Sequence, residues 1–236
     1  MVGEVAATRF QLIVGVHDLA DPPEARGDEL LSWMPFGEVA PLLDRILDNT
    51  RATGAVLHVT SDDGFRSDHD LLLPWLLDRG VGATFFVPTG FVDRPGRLSA
   101  GQIRELAALG LRIGVHGVRH IDWTAVPEPV FLDDVREGRD RLEQTIGAPI
   151  DVVAPPYGRF DGRIVARLFD LGFHEIHTCR PGPAPVGEPL RPRNMLRRET
   201  VDAILATSRR PGGLRDVVRC RLRRLRETLR HRTGVA

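Results

Sequence analysis

Cysteine, lysine and long apolar runs are what this 236-residue chain has least of. The two cysteines, Cys179 and Cys220, lie far apart and lack CxxC spacing. A structural zinc site built on thiolates is therefore excluded, and a disulfide framework is not expected. Lysine is absent, so all 32 basic side chains are arginine, which we read as coding bias rather than function. Formal net charge is zero, so the chain as a whole gives no electrostatic argument for nucleic-acid binding. Residues 1–9 hold no basic stretch leading into a long apolar run, and the apolar segment 12–16 is too short for a signal peptide or a membrane span. The expectation is a cytoplasmic protein, in contact with a membrane only peripherally if at all.

What is present suits one compact domain: 42% hydrophobic and 27% charged residues over a length that can build a sizeable core. Short apolar runs at 11–16, 55–59, 83–87, 111–115 and 151–154, with a weaker one at 175–178, read as strands buried on both faces. Helical spacing lies between them. Leu71, Leu72, Trp75 and Leu76 precede Gly80. Ser99 and Gln102 form a capping-box pattern ahead of Ile103. Leu132, Val135, Leu142 and Ile146 run to Gly147, and Ile164, Val165, Leu168 and Phe169 run to Gly172. Alternating strands and helices predict an α/β fold with a parallel sheet, closed or nearly closed into a barrel of six or seven units over residues 1–212. Residues 181–192, rich in Pro and Gly, read as a loop, followed by a short helix over 201–208.

Residues 213–236 are strongly basic, with Val217, Val218, Leu222, Leu225 and Leu229 on one helical face and arginines around them. Such a helix either docks its leucine face on the barrel or lies on an anionic membrane.

Reacting groups in parallel α/β folds sit at the C-terminal ends of strands. Three polar clusters fall there: Thr60-Ser61-Asp62-Asp63-Gly64, His116-Gly117-Val118-Arg119-His120, and Pro155-Pro156-Tyr157-Gly158. Singly, each reads as well as a turn or a solvated pair. Together, one carboxylate and two imidazoles at neighbouring strand ends make a three-ligand site with positions left for water and substrate. The zinc-protease helix motif is a poor match, because no Glu follows His116 and Gly117 disfavours a helix.

These clusters resemble the polysaccharide deacetylase family, the NodB-homology or family-4 carbohydrate esterases. TSDDG at 60–64 is similar to its first motif, GVGATFFVPTGFV at 80–92 to its next strand, HGVRH at 116–120 to H-S/T-x-x-H, and APPYG at 154–158 to R-x-P-Y. The resemblance spans roughly residues 56–182. It implies a distorted seven-stranded β/α barrel and removal of an N-acyl group, most often acetyl, from an amino sugar. It also implies one divalent metal, Zn2+ first and Co2+, Ni2+, Mn2+ or Fe2+ as substitutes, held by Asp63, His116 and His120. Asp62 is implied as general base and the backbone N–H of Tyr157 as an oxyanion donor. Four departures stand out. Ser61 replaces Phe, Gly117 replaces the Ser or Thr that steadies the second loop, Ala154 replaces the Arg that orients the base, and no late L-x-H motif supplies an acid.

The first strand ends at His17, resembling a circularly permuted branch of the family in which this His is the acid. His174 and His177 are its rivals. Arg193 resembles an Arg common late in that branch, which would orient Asp62, bind an anionic substrate group or simply lie at the surface. Trp123 and Pro156 are expected near the substrate, Trp123 either stacking on a sugar or packing on the barrel, with His58, Arg66, Asp68, His69 and Asp122 as further cleft candidates. A small, nucleotide-linked, lipid-linked or metabolite-attached glycan suits the expected location better than an extracellular polymer. A deformylase or other linear-amide hydrolase on the same site, and a non-catalytic glycan-binding scaffold, are the competing readings. Oligomeric state is not legible.

Overall fold

The computed structural model describes residues 10–210. The basic helix expected over 213–236, and the membrane contact read from it, lie outside the described residues. Seven parallel strands form the body of the sheet: β1 (Phe10–Val16), β2 (Val56–Asp62), β3 (Gly82–Val87), β4 (Arg112–Val115), β5 (Val152–Val153), β6 (Glu175–Thr178) and β8 (Leu190–Pro192). They are neighbours in that order, and β7 (Ala184–Pro185) adds antiparallel to β1. After β8 the chain continues into β9 (Asn194–Met195), which pairs with β1 on its free side. The sheet thus curls into a nearly closed barrel, with residues 190–195 bridging β6 and β1.

The six strands expected from apolar runs all appear. They are legible because residues such as Leu12, Val14, Val59, Phe85, Phe86 and Val115 are buried between the barrel interior and a helical layer. The segment read as a loop at 181–192 instead contains β7 and the whole of β8. Its strands are two and three residues long and include Pro185 and Pro192, so pairing comes from barrel closure rather than local propensity.

The helices are α1 (Phe36–Thr53), α2 (Leu73–Arg79), α3 (Ala100–Ala108), α4 (Glu128–Ile146), α5 (Gly162–Asp170) and α6 (Val201–Ser208). The capping box at α3 forms as expected: Gln102 N–H donates to Ser99 Oγ at 3.2 Å and Ser99 N–H to Gln102 Oε1 at 2.9 Å. Helix α1 was not legible, because Pro41 interrupts its pattern, yet Val39, Leu43, Ile46 and Leu47 bury one face. No helix among the described residues is long and apolar enough to cross a membrane.

The strand starts hold a polar cluster of their own. Arg112 reaches Glu175 at 2.8 Å and Asp151 at 3.0 Å, and His177 Nε2 lies 3.3 Å from Glu175. Arg191 donates to the Pro185 carbonyl at 2.5 Å and to Gln11. His58 bonds Thr84 at 2.9 Å on the neighbouring strand.

Candidate metal centre and catalytic cleft

At the opposite ends of the strands, β2 and β4 deliver the three candidate ligands. Asp63 follows β2 directly, and His116 follows β4. Nε2 of His120 lies 3.0 Å and Nε2 of His116 3.5 Å from Asp63 Oδ1, and the three ligand atoms lie within 4.8 Å of one another. That spacing suits a single divalent ion with bonds of about 2 Å. Asp63 Oδ1 is buried with no aligned hydrogen-bond donor, although two imidazole nitrogens face it. His116 Nδ1 sits 2.7 Å from the Ala154 carbonyl oxygen. A carbonyl only accepts, so Nδ1 carries the proton and Nε2 of the neutral ring offers its lone pair to the centre. The donor set therefore fits a divalent cation. Burial alone would raise the Asp63 carboxyl, but His116 and His120 outweigh it and hold the group well below the carboxylate range.

Backbone strain concentrates at this site. Four non-glycine residues among the described ones have positive φ, and three are Asp63 at 74°, His120 at 53° and Tyr157 at 58°. Each L-residue there costs conformational energy that its surroundings must offset, as is common where a side chain has to be aimed.

Asp62, the last residue of β2, faces a different partner. Arg193 donates to it through Nη1 to Oδ1 at 2.5 Å and Nη2 to Oδ2 at 2.9 Å, and Asp62 and Arg193 are almost wholly buried. This is the two-pronged geometry that a guanidinium gives a carboxylate. Burial pushes Asp62 up, but Arg193 first, then His116 and His17, hold it below its ordinary value. Ala154 offers Asp62 no side chain, and Arg193 holds that carboxylate from the joint between β8 and β9.

His17 lines the same cleft, just beyond β1. Its Nδ1 is buried without a partner, and burial lowers its pKa while Asp63 and Asp62 pull it back up. The loop after it is pinned by buried Asp18, which accepts from the N–H groups of Ala20 at 3.0 Å and Ala25 at 2.6 Å. His174 has an exposed side chain facing Asp151, and His177 belongs to the strand-start cluster, so neither lines the cleft. Tyr157 and Gly158 line it, while Pro156 is buried behind them. The cleft has a volume of about 640 Å3.

Trp123 is corrected by the structure. It is fully buried, packs on Phe131 and donates from Nε1 to Asp134 Oδ2 at 3.0 Å, so it offers no face to a sugar. His58, Arg66, Asp68, His69 and Asp122 do not line the cleft either. Asp68 is buried under Ser61, whose Oγ donates to it at 2.5 Å.

Asp134 on α4 was missed by sequence reading, because a charged residue in a helix normally signals a solvated face. It is fully buried and also accepts from the Arg119 backbone N–H at 3.2 Å and Arg119 Nε at 3.0 Å. The loop carrying both histidines is thereby anchored, contrary to the expectation that Gly117 leaves it less constrained. Gly117, at φ 77°, is required: a Cβ there would collide with Asp134, and Gly138 packs against its carbonyl.

A barrel whose strand ends bring an aspartate and two histidines beside a buried, arginine-held carboxylate defines a metal-site α/β barrel of the deacetylase type. The polysaccharide deacetylase family model matches residues 49–176, and the chain belongs to that family. YxkH of Bacillus subtilis strain 168, named for the polysaccharide deacetylases, is 21% identical over 126 residues, 53% of this chain and 45% of that protein. The chain thus spans less than half the length of this curated relative. Among solved structures, IcaB from Ammonifex degensii superposes with a TM-score of 0.73 at 24% identity, covering 85% of this chain and 97% of that one. The Streptococcus pyogenes deacetylase PplD, solved with acetate, gives 0.69 at 18%, covering 87% and 100%. These two likenesses show the fold.

Proposed function

We propose that the protein is a metal-dependent N-deacylase that removes an acetyl group from an amino sugar in a small, nucleotide-linked, lipid-linked or metabolite-attached glycan. The observation that carries this is the Asp62–Asp63 pair. Adjacent carboxylates have opposite partners, one locked by Arg193 and one facing two imidazoles. A binding scaffold has no need of a base held ionised beside a cation site.

Asp63, His116 and His120 would hold the ion. A divalent cation there supplies Lewis acidity to the amide and lowers the pKa of water. Asp62 takes the proton of the attacking water, and Arg193 fixes its orientation and keeps it ionised. The Tyr157 N–H, presented by a strained turn, donates to the developing oxyanion. His17 gives a proton to the departing amine. It is the cleft-lining candidate of the three histidines, and the two aspartates oppose, without overcoming, the lowering of its pKa by burial.

Metal content after zinc loading, and release of acetate or formate from N-acylated amino sugars, test this reading. Asp62→Asn is expected to keep the metal and lose turnover by about 10²–10⁴-fold. Stoichiometric metal without release of either acid from any such sugar would refute it, and formate alone would favour a deformylase.

A further inference from the structure

The chain is neutral overall, but its cleft is not. Four arginines line it, Arg26, Arg119, Arg159 and Arg197, and the acidic residues lining it are Asp62 and Asp63. Asp62 is already matched by Arg193, and Asp63 belongs to the metal centre. Arg119 holds Asp134 through Nε, and Arg159 holds Asp122 through Nη1 at 2.8 Å. Neither of those carboxylates lines the cleft, and each pairing leaves guanidinium donors over. Arg197 is different. Its Nε is buried without a hydrogen-bond partner, and among the described residues no carboxylate pairs with it. It lies two residues beyond β9 and acts electrostatically on both His17 and Cys179, so its charge lies at the reacting end of the cleft.

A guanidinium lining the cleft without a carboxylate partner, beside Arg119 and Arg159, favours a ligand that brings the countercharge. Planar guanidinium forks match the oxygens of a phosphoryl group. The cleft, at about 640 Å3, also has room for more than one sugar ring.

We propose that the substrate is an amino sugar carrying a phosphoryl group, and that Arg197, supported by Arg159 and Arg119, binds that group as the specificity determinant. This rests on the deacylase reading above and narrows its substrate class to phosphate esters. The carrier is a nucleoside diphosphate or a prenyl diphosphate. Leu31, largely exposed at the cleft, is available to the latter.

Zinc-loaded protein is tested with N-acetylglucosamine, N-acetylglucosamine 1-phosphate, UDP-N-acetylglucosamine and a short prenyl diphosphate of the same sugar. Affinity is read by calorimetry and turnover by acetate release. The phosphorylated forms are expected to be favoured over the neutral sugar by about tenfold or more, about 1.4 kcal/mol per decade. The preference should shrink at high salt. In Arg197→Gln it should fall to within about threefold of unity, with a smaller fall in the exposed variant Arg159→Gln. Equal binding of neutral and phosphorylated sugars by the wild type overturns the proposal. So does a preference that survives Arg197→Gln, or, if that variant does not fold, one that survives Arg159→Gln unchanged. If nothing is hydrolysed, the deacylase reading fails, and the ratio of dissociation constants still decides for or against phosphate recognition. The better of the two diphosphates names the carrier.

Discussion

The two ends of the barrel interior are built from the same residue types and put them to opposite use. At the strand starts, Arg112 pairs with both Glu175 and Asp151, and His177 lies against Glu175. At the strand ends, Asp63 Oδ1 and His17 Nδ1 are buried without donors of their own, beside a cleft. At the strand starts His177 Nδ1 and Arg191 Nε are likewise buried without partners, but neither residue lines the cleft. Charge density alone does not distinguish the two ends. Unpartnered buried atoms alone do not either; access to the cleft does, and atoms left over there are prepared for a ligand.

The largest expected effect breaks this symmetry directly. Asp63→Ala should lower zinc affinity by about a thousandfold or more, because a three-ligand site loses its only anion. Glu175→Gln, at the other end, should leave zinc affinity unchanged. Equilibrium competition with a chelator measures both. A comparable loss in the two variants would mean that the ends are coupled and the comparison false.

Next in size is the cost of unpairing. Arg193→Met leaves the buried Asp62 charge unpaired and is expected to destabilise the protein by about 3–5 kcal/mol in urea unfolding. Adding Asp62→Asn should recover much of that. Arg112→Met, at a partly exposed pair, should cost about 1 kcal/mol or less. Equal losses at the two positions would show that burial does not separate the ends.

The smallest effect concerns acid. Burial lowers the His177 pKa to about 4, despite the opposing pull of Glu175. Between about pH 6.5 and 4 the unfolded chain therefore binds a proton that the folded chain refuses, so stability falls as pH drops through this window. The loss from this group is on the order of 3 kcal/mol by pH 4. Glu175, held at about 2 chiefly by its bond to His177, keeps its contribution down to that pH. Unfolding midpoints against pH should show a slope that flattens in His177→Gln. An unchanged slope would mean that His177 is not held neutral.

Much of this was legible before any coordinates. Runs such as 83–87 must be strands, because a segment apolar on both faces has to be covered on both faces. The α3 box and the glycine stops are chemistry between residues three or four apart. Asp62, Asp63, His116 and His120 were legible from their place at strand ends and from motif order. Helix α1 was hidden by Pro41, and β7 to β9 by their brevity. Trp123 was left between stacking on a sugar and packing on the barrel because its partner, Asp134, reads as solvated in a one-dimensional pattern.

The sequence by itself determined the alternation of strands and helices and the inventory of reacting groups. Both follow from local burial patterns and from residue identity at strand ends. Only the tertiary structure decided which groups meet. Arg193 reaches Asp62 across 131 residues because barrel closure carries the chain from β6 to β1. Asp134 is buried because α4 packs against the histidine loop at Gly117. The positive φ angles at Asp63, His120 and Tyr157 belong to the same class. They run against local preference, and long-range packing holds them.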